Sequence, residues 1–132
     1  MEQFEHAWDQ RLQIQTAGRD DTNADQYHHP YEPTPYCVLE RLAASGFFSE
    51  ADTVLDYGCG KGRVGFFLSH ETGARTIGIE YDARIYADAL ENQATAKEKA
   101  DFILTIIILR TKKRIVAALL AICRMSLDLA PI

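Results

Sequence analysis

Asp56-Tyr57-Gly58-Cys59-Gly60-Lys61-Gly62 stands directly after the apolar run Thr53-Val54-Leu55, and Glu80 closes a second apolar run, Thr76-Ile77-Gly78-Ile79. These residue types suit one kind of chemistry. Glycines let a backbone turn sharply and leave no Cβ between it and a ligand. A helix opening at the last of them presents unpaired N–H groups and the positive end of its dipole. A carboxylate at the end of the neighbouring strand can accept hydrogen bonds from two vicinal hydroxyls, as on a ribose. Together they predict a nucleoside-binding half-site at the carboxyl edge of a sheet.

The glycine spacing narrows the ligand. A dinucleotide fingerprint, GxGxxG, needs a third glycine at position 63, which is Arg63. The pattern is D-x-G-x-G-x-G. No GxxxxGK[ST] is present, which excludes a P-loop.

The elements that must position these residues follow from periodicity. Thr53 to Tyr57 and Arg75 to Glu80 read as buried strands. Gly62 to His70 reads as a helix with Val64, Phe67 and Leu68 on one side, ending before Gly73. Asp82 is placed to cap a helix to about Lys97, with Tyr86 and Leu90 on one face. Asp101 to Leu109 has strand composition, and Lys113 to Leu127 reads as an amphipathic helix. Upstream, Phe4, Trp8 and Leu12 recur at helical spacing within residues 3–15, with Ala7 and Ile14 near that face. Residues 16–33 are polar and turn-prone. Thr34-Pro35 predicts a helix start, Thr34 capping and Pro35 in the first turn. Val38 and Leu42 share a face there, and Gly46 is the stop. The β-α-β-α-β-α order from residue 53 implies parallel strands joined by right-handed crossovers. The fold class expected is α/β: a Rossmann-like three-layer parallel sheet, incomplete, of about three strands with flanking helices.

Composition bounds the rest. At 132 residues, 47% hydrophobic and 25% charged, the chain reads as one ordinary globular domain. A net charge of −5 disfavours non-specific nucleic-acid binding. Cys37, Cys59 and Cys123 form no CxxC or Cys/His cluster, so no metal site is expected, and an odd number of free thiols suits a reducing cytoplasm. The polar start Met1-Glu2-Gln3-Phe4-Glu5 does not resemble a signal peptide. The run Phe102 to Leu109 is too short to span a bilayer, so no membrane role is expected. Residues 1–101 hold 18 acids and 9 Lys/Arg, whereas residues 102–132 hold one acid and five bases. Glycine stops at Gly78. The chain divides accordingly into an N-terminal helix and polar arm (1–33), a core (34–104) and an atypical apolar and basic tail (105–132), read as a truncation or an out-of-frame end.

Asp56-x-Gly58-x-Gly60-x-Gly62, with Glu80 at the end of the second strand, resembles the class I S-adenosylmethionine-dependent methyltransferases over roughly residues 31–104. Pro33-Thr34-Pro35-Tyr36 is similar to a segment that borders the cofactor's methionine end in some members. The resemblance implies S-adenosyl-L-methionine as cofactor and methyl transfer by direct displacement to an acceptor of unknown class. Asp56, Tyr57, Gly58, Cys59, Gly60, Gly62 and Thr34 would line its methionine and ribose parts. Glu80 would take the ribose hydroxyls, and Tyr81 would lie against the adenine. The members' polar residue after the third strand and their motif after the fourth have no counterpart in residues 102–130. No catalytic base is assigned: His28 and His29 read as a solvated loop pair, and Cys59 as a small loop filler. An NAD(P)-linked oxidoreductase and a non-catalytic fragment acting as a binding module are the alternatives. A half-sheet would leave an exposed edge, so self-association is expected.

Overall fold

The computed structural model describes residues 1–18 and 31–104. The elements in chain order are α1 (Glu2–Leu12), α2 (Tyr36–Ala44), β1 (Thr53–Tyr57), α3 (Arg63–Thr72), β2 (Arg75–Glu80), α4 (Ala83–Thr95) and β3 (Asp101–Leu104). The expected continuation of β3 to Leu109, the helix over Lys113 to Leu127, the tail and His28-His29 lie outside the described residues.

The three strands form one parallel sheet in the order β1-β2-β3. Leu55 pairs with Ile77 and Tyr57 with Ile79, while Gly78 pairs with Phe102 and Glu80 with Leu104. This register brings Asp56 level with Gly78 and puts the ends of β1 and β2 on one edge. The incomplete Rossmann-like α/β arrangement is therefore as the alternation required.

The core lies between the sheet and α1, α2 and α3. Trp8, Leu12, Tyr36, Leu39, Phe66, Phe67 and Leu68 are all buried there with Val54. Trp8 stacks on Tyr36 at 5.7 Å between centroids and meets Phe67 edge-on at 4.9 Å. The small residue Gly65 lets α3 close on β2: a Cβ there would lie 3.1 Å from Thr76 Oγ1.

Helix ends account for most departures from expectation. α1 stops at Leu12 because Gln13 turns left-handed, at φ 60°, so Ile14 enters the core from beyond the helix. α4 opens as expected, Asp82 Oδ1 accepting from the N–H of Arg84 at 2.9 Å and of Ile85 at 3.4 Å. α2 does not. Pro35 is its N-cap and Thr34 makes no capping bond. The first free N–H, on Tyr36, is taken by Glu5 Oε1 of α1 at 3.1 Å, so a distant carboxylate replaces the local hydroxyl. This shifts the buried face: Tyr36 and Leu39 are buried while Val38 is 49% exposed. On α4 the buried residues are Ile85, Ala89 and Asn92, and Leu90 is exposed.

Candidate functional site

The loop between β1 and α3 is anchored by its own ends. Gly58 and Cys59 both donate to the carbonyl of Ile79, at 2.8 and 3.1 Å. Glu80 ties the same knot from the other side. Its Oε1 accepts from Gly60 N–H at 3.0 Å, and its Oε2 accepts from Tyr81 and Asp82 N–H, both at 2.8 Å. Glu80 is 5% exposed, so it is no solvated strand end. Three charge-assisted bonds to backbone hold one carboxylate at the mouth of the loop. Oε1, with one partner from the described residues, keeps acceptor capacity for a further donor.

Asp56, at the end of β1, has the opposite character. Its Oδ2 is shut from solvent and has no hydrogen-bond partner among the described residues. Buried polar atoms are rarely left so, and burial without a partner is costly. Burial first, and the nearby Glu80 charge second, push its carboxyl up to about 6. An orphaned carboxylate oxygen beside a second carboxylate fits a ligand carrying a cation or an N–H donor.

The glycines divide in role. Gly58, at φ +74°, has no atom of the described residues within 4 Å of where a side chain would stand. Gly60 is covered: a Cβ would meet the Tyr31 ring at 2.5 and 2.9 Å. Tyr31 is held there by its hydroxyl, which donates to the Thr16 carbonyl at 2.5 Å, and Lys61 Nζ lies 4.8 Å from its ring centroid. At Gly62 the missing side chain admits Phe102 and Phe66, which is packing within the fold. Cys59 likewise turns inward: a Cβ on Gly78 would sit 2.7 Å from its Sγ. Burial, then Asp56, then Glu80 raise its thiol well above the usual range, so it is no nucleophile at neutral pH.

Of the expected site residues, the loop brings Asp56, Gly58, Cys59, Gly60, Gly62, Glu80 and the backbone of Tyr81 together. Tyr57 ends β1, part-buried, opposite Ile79. Thr34 joins through its carbonyl, which accepts from Arg63 Nη1 at 3.2 Å.

That bond belongs to a cluster that sequence reasoning missed. Arg63, 3% exposed at the first position of α3, donates through Nε to Thr16 Oγ1 at 2.7 Å and through Nη1 to Glu5 Oε2. Its guanidinium lies 4.2 Å from the Tyr36 ring centroid, and Asp9 Oδ1 is 3.8 Å from Nη2. Asp9 also accepts from Thr16 N and Oγ1, each at 2.7 Å, from Ala17 N at 3.1 Å and from Tyr36 Oη at 2.5 Å. Asn92 fastens the strap that follows α1, residues 13–18, to the loop, its Nδ2 donating to the carbonyls of Lys61 at 2.9 Å and Gln15 at 3.0 Å. The one sequence signal was Arg63 standing where a dinucleotide site has glycine. Among the described residues no three His, Cys, Asp or Glu gather as a metal site, and no helix is long and apolar enough to cross a membrane.

No protein-family profile matches the chain. It is 33% identical over 66 residues to a protein-lysine N-methyltransferase of Saccharolobus islandicus, an overlap of 49% of this chain and 41% of that protein. In structure it is similar to a protein-L-isoaspartate O-methyltransferase, with TM-score 0.50, 18% identity, and 61% and 26% of the two chains covered. It is also similar to an RNA methyltransferase of Salinibacter ruber solved with S-adenosyl-L-homocysteine, with TM-score 0.49, 30% identity, and 56% and 50% covered. The chain thus spans about two fifths of the curated relative it matches. The fold it shares is Rossmann-like α/β, with three parallel strands among the described residues. The nicotinamide-linked alternative is not favoured.

Proposed function

We propose that the loop and Glu80 form the cofactor-binding half of an S-adenosylmethionine-dependent methyltransferase. The observation that carries this is the buried Oδ2 of Asp56, without a partner among the described residues, close to Gly58. A neutral donor would satisfy that oxygen but leave its repulsion from Glu80, whereas an ammonium would relieve both, donating a hydrogen bond and supplying the opposite charge. Asp56 would accept from the methionine ammonium. Gly58 would let the backbone approach, and the spare capacity of Glu80 Oε1 would take a ribose hydroxyl. Tyr81 would flank the adenine, and Thr34 would border the methionine end.

When bound, S-adenosylmethionine supplies a methyl group already activated on a sulfonium, so the chain's contribution is placement and charge complementarity. The acceptor's lone pair forms the new bond to the methyl carbon while the carbon–sulfur bond breaks. An amine acceptor must lose a proton, and no residue of the chain is assigned that task. The name of the curated relative brings a protein lysine forward as acceptor, and the net charge of −5 favours a basic partner surface over nucleic acid. Free Cys37 and Cys59 suit a reducing cytoplasm. Ile103 and Leu104, 49% and 41% exposed on the outermost described strand, support self-association.

The test is a calorimetric titration with S-adenosyl-L-homocysteine, with NADH as control. Saturable binding of the first alone is expected. No binding of it to a folded chain would refute the assignment. A second reading is a non-catalytic binding module. Labelled cofactor with a lysine-rich protein separates the two: incorporated methyl groups indicate an enzyme, and binding without turnover indicates the module.

A further inference from the structure

A buried guanidinium at the first turn of a helix is locally unfavourable, because the helix dipole opposes a cation there. Arg63 tolerates the position because α1 and the strap after it surround it: Glu5 and Asp9 supply opposite charge, and Thr16, 0% exposed, accepts from Nε. The same fork reaches the carbonyl of Thr34. Arg63 therefore joins three segments distant in sequence: the N-terminal helix, the segment before α2 and the glycine loop's exit. Two of these are the proposed walls of the cofactor cleft.

We infer that Arg63 is a positioning residue for that cleft, and that Asp9 and Glu5 of the N-terminal helix tune it for a cationic ligand by neutralising the guanidinium. The inference rests on the cofactor reading above and deepens it. Without Asp9, Glu5 alone would offset the guanidinium, and the buried cluster at the first residue after the glycine loop would lose its net negative charge. A sulfonium would feel that loss more than a neutral thioether. A structural prop alone would not make that distinction.

The experiment compares the affinities of S-adenosylmethionine and S-adenosyl-L-homocysteine in four chains. Arg63→Lys keeps the charge and loses the fork, so both ligands should weaken together, by about fivefold or more. Asp9→Asn should weaken S-adenosylmethionine at least about threefold more than S-adenosyl-L-homocysteine, an effect that salt screens only weakly because the cluster is buried. The double variant Asp9→Asn/Arg63→Met should return the ratio of the two affinities to that of the unmodified chain. If Asp9→Asn does not fold, Glu5→Gln carries the same expectation, since Glu5 Oε2 pairs with the same guanidinium. Equal weakening of both ligands in the acid variants, or no change in any variant, overturns the inference while leaving the cofactor reading standing. Failure of either ligand to bind the unmodified chain overturns both.

Discussion

Replacing Glu80 by Gln removes one charge and almost no volume, and the structure gives its cost. Glu80 accepts from three backbone N–H groups at 2.8–3.0 Å. In the variant the amide oxygen can keep Tyr81 and Asp82, but the amide nitrogen then faces the Gly60 N–H, donor against donor. Losing a bond to a charged group costs about 1.5–3 kcal/mol. Part is returned through Asp56. Its carboxyl lies near 6 rather than 3.8, with burial the larger cause and Glu80 the smaller. At about 1.4 kcal/mol per unit the whole shift amounts to roughly 3 kcal/mol, so the Glu80 share is about 1 kcal/mol or less. The sign follows from a raised folded-state value. The native chain binds the proton more tightly than the unfolded one, so stability falls as pH rises from about 4 to about 6, and the penalty is full above that. Above pH 6, Glu80→Gln relieves repulsion, and at pH 5, where Asp56 is largely protonated, there is less to relieve. The variant should therefore lose about 0.5–2 kcal/mol at pH 7.5 and about 1.5–3 kcal/mol at pH 5, the difference being up to about 1 kcal/mol, in denaturant unfolding. Equal stability at both values, or a larger loss at pH 7.5, would refute the view of Glu80 as the knot of the loop and a repulsive neighbour of Asp56.

Gly58→Ala meets no atom but keeps φ +74°, so it should destabilise by about 1–2 kcal/mol and weaken S-adenosyl-L-homocysteine, read by thermal unfolding and calorimetry. Affinity for S-adenosylmethionine should fall as pH drops below about 6, approaching tenfold per unit, because Asp56 must be ionised to attract the cation; a flat profile from pH 7 to 5 would remove Asp56 from the site. Asp82→Ala should cost about 0.5–2 kcal/mol, since the Arg84 and Ile85 N–H groups lose their cap, and hydrogen exchange should quicken in the first turn of α4 before elsewhere.

Much of this was legible in the sequence because the signals are local. β1 and β2 are short apolar runs bounded by turn residues, and both have the expected limits. Asp82 caps the residues just after it, and the acid at the end of β2 meets the loop because parallel pairing puts strand ends together. What escaped depends on contacts between remote residues. Thr34 looked like a cap, but Glu5, 31 residues from Tyr36, does the work. Val38 and Leu90 looked like core, but α1 and the strap after it turn Tyr36, Leu39 and Asn92 inward instead. Arg63 meets Thr16 and Glu5 across 47 and 58 residues, a distance at which no periodicity or motif speaks.

The described sheet runs in one direction only from β1, with β2 as its neighbour and β3 beyond. The space over Gly58 is thus bordered on the β2 side by the Glu80 knot, and β1 has no partner strand among the described residues on its other side. Residence time is where this shows. The departure of a ligand seated there would be set by the strength of its contacts with the loop and with Glu80. Any partner segment that came to lie along the other side of β1 would lengthen that residence without touching a single ligand-binding residue.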